Sequence, residues 1–382
     1  MVVSSVNELY YDLEKAQCLF SNLKHSGKKL AMGYYIINLF SSLSCMGENI
    51  DFDIEKSFGS LNNYNEIIQT FNRYYDSLLN NYVSNKKIHK QYLENIVINI
   101  SKIIDDYTCL VYPSFENVKE DEFWEIFFSF CKSLDLESMF DSFYKTNCIY
   151  STINQQKDRD LGFVLFNPFF KNNKIFIYDF KYDFFSMNIL AHEFGHAYDF
   201  FRFNGNINDY NKYIFSSFYI ETIPLLFERL LYYYCIDNNI MINSVKMNMI
   251  NFELTNYYIL LNAYLISLYD KKNILQEDYL ICNYKKILKK INYSIYQKVD
   301  IQEILKKMDS FSFSEIYGCA YGDIISMFLC DKVRKNSLNN DSIHSFFTKR
   351  NEICICDFLK ENNFSSKEYI NLYKNELKLI KK

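Results

Sequence analysis

The chain has 382 residues, enough for one large domain or two of ordinary size with an ample core. Hydrophobic residues make up 49% and charged residues 23%, with 42 basic against 46 acidic side chains and a formal net charge of −4. That balance fits a soluble globular protein without the basic stripe that nucleic acid requires, and the most apolar long run, IFSSFYIETIPLLFERLLYYYCI, is broken by Glu221, Glu228 and Arg229, which argues against a membrane span.

In chain order, the opening MVVSSVNELYYDLEKA shows neither a charged leader nor an apolar signal core, so a cytoplasmic location is expected. Eleven cysteines occur without a CxxC pair, the closest being Cys354 and Cys356. They read as reduced, buried thiols and not as a metal site. Three prolines and nine glycines leave few chain breakers, which favours long helices. Leu9, Leu13, Ala16, Phe20 and Leu23 share one helical face, and Ser5 with Glu8 forms a capping-box pattern just ahead of it. Further helices are predicted at 30–46, 62–82, 87–108 and 120–145. Their apolar stripes are ordinary core faces.

Residues 161–180, LGFVLFNPFFKNNKIFIYDF, break this pattern with two β-rich runs around Lys171–Lys174, predicting a hairpin or short sheet. The second run, KIFIYDF, is expected to be an edge strand able to pair with an extended peptide through main-chain bonds. It leads into NILAHEFGHAYDF, which holds two of the five histidines in the chain. Residues four apart on a helix lie about 6 Å apart along its axis and on nearly one face, so His192 and His196 can aim at one cation. Glu193 points about 100° round the helix, placed to act as a general base rather than a ligand. The same spacing also suits two histidines merely hydrogen-bonded on a half-buried helix. Gly195, between the ligands, lets a neighbouring backbone approach, whether that of substrate or of another helix.

A catalytic zinc needs a third protein ligand. His25, His89 and His344 lie in polar surroundings and read as surface or structural side chains. Glu221 is the better candidate, because a lone carboxylate in an apolar helix is costly unless paired or metal-bound. Glu228, two turns on, can orient a ligand imidazole; solvation or pairing with Arg229 is the alternative for both. Helices are further predicted at 244–270, 276–297, 301–308 and 312–335 and near the C-terminus, the fourth carrying Tyr317 and Tyr321 on one face.

LAHEFGHA followed by a glutamate 25 residues after His196, with another seven further on, resembles the thimet oligopeptidase and oligoendopeptidase F family of zinc metallopeptidases. The resemblance is concentrated over 160–230. It departs from the family at Asp199, where a histidine is usual, and lacks the Gly-Thr stretch ahead of the third ligand. It implies a mainly α, helical zincin-type fold with one small β-sheet or hairpin next to the zinc helix and a substrate channel between helical halves. A helical region at 1–150 and a catalytic region at 151–382 would form one continuous peptidase domain. It also implies one Zn2+ per chain held by His192, His196 and Glu221, with Glu193 as general base. Tyr317 or Tyr321 would stabilise the oxyanion, helix packing being their alternative role. Short peptides would be the substrates, with neither nucleic acid nor membrane as partner. A peptidase dedicated to one peptide, or an inactive peptide-binding scaffold, are the competing expectations.

Overall fold

The scarcity of breakers is realised as helix. In a computed structural model, residues 6–45, 48, 52–104, 117–145, 149–152, 162–167, 169, 172–201, 211, 220–268, 310–335 and 355–381 are described. They are mainly helical, with one small sheet of three strands. None of the described helices is long and apolar enough to cross a membrane. The chain divides into two compact units. The first comprises Met1–Tyr74, Phe115–Ser216 and Ile223–Tyr234, and the second Tyr75–Ser114, Ser217–Thr222 and Cys235–Lys382.

In the first unit, helix α1 (Val6–Asn22) buries the predicted face of Leu9, Leu13, Ala16 and Phe20 against Met32, Tyr35, Ile36, Leu39 and Leu43 of α2 (Ser26–Cys45). Ser5 lies outside the described residues. Glu8, its expected capping partner, instead accepts bonds from the Tyr150 hydroxyl at 2.6 Å and Lys174 Nζ at 3.1 Å, tying α1 to the sheet. Lys174 also pairs with Asp12 at 2.8 Å. A short helix, α3 (Ile54–Phe58), is capped by Asp53 and closed by Gly59 at φ 72°, a left-handed turn that glycine adopts without strain.

Two expectations about helix boundaries need correction. The helices placed at 62–82 and 87–108 are one continuous helix, α4 (Leu61–Ile104), because Val83-Ser84-Asn85-Lys86 contains neither glycine nor proline to stop it. The run at 120–145 is instead two helices, α5 (Glu120–Ser133) and α6 (Glu137–Lys145). They are separated where Asp135 takes φ 57°, a left-handed conformation that aspartate tolerates better than most residues.

The sheet corrects a third. Strand β2 (Gly162–Asn167) pairs antiparallel with β3 (Asn172–Tyr178), as the hairpin reading expects, with Phe163 opposite Phe176 and Asn167 opposite Asn172. A strand not anticipated, β1 (Ile149–Thr152), adds parallel to the other side of β3. With the order β1-β3-β2, the KIFIYDF strand is central, with β1 on one side over Ile175–Tyr178 and β2 on the other over Asn172–Ile177. Its run of consecutive apolar residues is the mark of a strand covered on both faces: Ile175, Phe176 and Ile177 are all fully buried.

Helix α7 (Phe184–Phe201) packs on β2 and β3. Asp183 caps its start, accepting from Ser186 N at 2.8 Å, while the Ser186 hydroxyl accepts from Lys181 N at 2.9 Å. Asn173 on β3 donates to the Ala197 carbonyl at 3.2 Å. Phe194 meets Phe140 and Phe143 edge-on, at 5.3 and 5.8 Å between centroids. Next to Phe140 stands Trp124, the single tryptophan of the chain, 4% exposed and stacked on Phe180. Helix α8 (Thr222–Asp237) follows with Pro224 in its first turn, where the missing N–H costs no hydrogen bond.

The second unit packs α9 (Ile242–Leu268), α10 (Ser310–Arg334) and α12 (Ser366–Lys381) together, with α11 (Ile355–Glu361) ahead of the last. Tyrosine hydroxyls lock these helices. Tyr373 donates to the Glu253 carbonyl at 3.0 Å, and Tyr369 donates to the Asp323 carboxylate. The helices expected at 276–297 and 301–308 fall outside the described residues. Cys131 and Cys235 are buried thiols, and burial pushes Cys235 up to about 12.

Candidate metal centre

Helical spacing brings the two histidines together. The rings of His192 and His196 stand 5.0 Å apart between centroids and cross at 77°. Both are half-buried, as is Glu221 immediately ahead of α8. One nitrogen of each ring and one Glu221 oxygen lie within 4.8 Å of one another. This His-His-Glu group can hold a metal ion: it supplies two borderline nitrogen donors and one hard oxygen, the set that suits zinc.

Around His192 the structure adds orientation. Its Nδ1 is 2.7 Å from Glu228 Oε1, and the other oxygen of Glu228 accepts from Asn188 Nδ2. With the carboxylate accepting at Nδ1, the ring is held in the tautomer that leaves the Nε2 lone pair for a ligand. Glu228 and Asn188 are buried at 7% and 8% exposure. Asn188 precedes His192 by four residues and so shares its helical face, a spacing signal that the reading of the histidine motif passed over.

Glu193 is buried beside strand β2, where position 162 carries no side chain. A Cβ added to Gly162 would lie 2.9 Å from Glu193 Oε1 and 2.8 Å from the Phe176 carbonyl oxygen. The glycine therefore opens the space that the carboxyl group occupies. Of the two roles expected for Gly195, the structure shows helix packing. A Cβ there would meet Pro224 Cα at 2.7 Å and Pro224 N at 2.9 Å, so α7 and the first turn of α8 touch backbone to backbone.

The two tyrosines of α10, Tyr317 and Tyr321, are fully buried. Tyr317 donates to the Ala263 carbonyl at 2.8 Å, and the Tyr321 hydroxyl lies 2.5 Å from His89 Nδ1. His89, read from its polar neighbours as a surface or structural residue, is a buried one at 1% exposure, and burial pushes its pKa down to about 4. No local pattern marks it, because its partner is 232 residues away.

No protein-family model and no curated protein matches the chain. Among solved structures, "PZ peptidase A with inhibitor 2" superimposes with a TM-score of 0.48 and 10% identity, over 98% of this chain and 78% of that one. The likeness is too distant to speak for function.

Proposed function

We propose that the protein is a zinc-dependent peptidase that hydrolyses short peptides. The observation carrying this reading is the convergence within 4.8 Å of Glu221 with His192 and His196, the two histidines lying on the helix that also bears Glu193. A tetrahedral zinc with bonds of about 2.1 Å keeps its ligand atoms roughly 3.4 Å apart, within reach of small side-chain movements. One ion per chain is expected. Bound zinc supplies a Lewis acid for the scissile carbonyl and lowers the pKa of water.

The remaining work falls to side chains. Glu193 takes the proton of the attacking water and passes it to the departing amine, completing addition of water across the C–N bond. Glu228 holds His192 as a ligand. Tyr317 and Tyr321 enter as candidates for the oxyanion donor, each requiring release from its present partner first. Peptide backbone pairs with the outer edge of β2 in this reading, since β3 is enclosed; main-chain bonds of that kind read little sequence and suit varied short peptides.

The test is incubation with a mixed peptide library, with and without a chelator, read by mass spectrometry. Cleavage that stops with chelator and returns with zinc is expected. A zinc-loaded protein that leaves every peptide intact would overturn the reading.

A further inference from the structure

Helix α10 carries glycine where it meets Glu221. A Cβ added to Gly322 would stand 3.0 Å from Glu221 Cβ, 3.2 Å from the Glu221 carbonyl carbon and 3.3 Å from Thr222 N. Carbon atoms at rest against each other keep about 3.5–4.0 Å, so hydrogen is the largest group that fits without displacement. Two of the three atoms are backbone, which cannot rotate aside. Helix α10 is equally fixed. Tyr369 bonds the fully buried Asp323, the residue after Gly322, while Tyr317 bonds the Ala263 carbonyl and Tyr321 bonds His89. Glycine in mid-helix costs stability relative to alanine, and this one sits in a helix otherwise anchored turn by turn.

We propose that Gly322 is a positioning residue for the metal. By leaving out a side chain it sets how far the Glu221 backbone can settle, and so how close the Glu221 carboxylate comes to the two imidazoles. The buried tyrosines of α10 then act on the site through this contact, holding the helix that supports the third ligand. This rests on the reading of Glu221 as a ligand. Tests of ligand geometry tolerate only about 0.2 Å, whereas the added methyl group demands a shift of several tenths.

Zinc affinity of the full chain, measured by competition with a chromophoric chelator, tests this without any assay of turnover. Gly322→Ala is expected to weaken binding by roughly tenfold or more, yet to cause no further loss when added to Glu221→Ala. Wild-type affinity in folded Gly322→Ala overturns the inference. So does an equal loss in the Glu221→Ala background, which would mark a general disturbance of the fold. If Glu221→Ala itself binds zinc like the wild type, the ligand assignment fails, a result separable from the first two. Should Gly322→Ala not fold by circular dichroism, Tyr369→Phe slackens the same helix through Asp323. A several-fold loss that depends on Glu221 is then expected, and unchanged affinity overturns the inference.

Discussion

Replacing Glu228 probes how much of the metal affinity comes from outside the ligands. Both oxygens of this buried carboxylate accept: one faces His192 Nδ1 at 2.7 Å, the other Asn188 Nδ2. Glu228→Ala leaves both donors facing an apolar gap, and a buried donor stranded in this way costs about 1–3 kcal/mol. For His192 the loss has a second part, because the ring can turn or change tautomer and present Nδ1 in place of Nε2. Removing such a partner typically lowers metal affinity by about 10–100-fold, or roughly 1.4–2.7 kcal/mol. Glu228→Gln is milder. One amide oxygen still accepts from His192, and Asn188, whose Oδ1 is buried without a hydrogen-bond partner, can turn that oxygen toward the new amide nitrogen. Less than a tenfold loss is expected there. Competition titration of zinc against a chelator, with thermal unfolding of the metal-free forms, separates affinity from stability. Glu228→Ala with unchanged zinc affinity would refute the orienting role.

Glu193→Gln should abolish peptide cleavage, by about a hundredfold or more, while zinc content measured by mass spectrometry stays at one per chain. Gly162→Ala places a methyl group against Glu193 Oε1 and the Phe176 carbonyl. Turnover should fall by up to about a hundredfold with zinc retained, and full activity would show that strand β2 does not place the base. For His89, burial lowers the folded pKa from 6.5 to about 4. Its contribution is therefore whole above pH 6.5 and is lost as pH falls toward 4, a change of roughly 3 kcal/mol. Denaturant unfolding at pH 7 and pH 4.5 should show this slope, and His89→Gln should flatten it.

The features legible in the sequence were those written in local spacing. His192 and His196 at one helical interval, the apolar face of α1 and the two β-rich runs all follow from a period of 3.6 or 2. Glu221 and Glu228 were visible for a different reason, as charges within an apolar run whose cost required a partner. What escaped was non-local or unmarked. Strand β1 is four residues long, too short for a pattern, and its pairing with β3 enclosed the strand read as an edge. The bond of His89 to Tyr321 joins residues with no common motif. The separate helices expected at 62–82 and 87–108 reflected a polar stretch, and polarity alone does not stop a helix. Gly322 carries no mark in the sequence, since nothing in its neighbours says which backbone lies against it.

The aromatic cluster beneath α7 also has a practical use. Phe194 lies between His192 and His196 in sequence and packs on Phe140, which in turn borders the indole of Trp124. With one tryptophan in the chain, ultraviolet emission excited at long wavelength arises from a single dry site on the underside of α7. The protein thus carries an intrinsic optical gauge, and a label-free titration with zinc tests whether the proposed loading changes the seating of that helix.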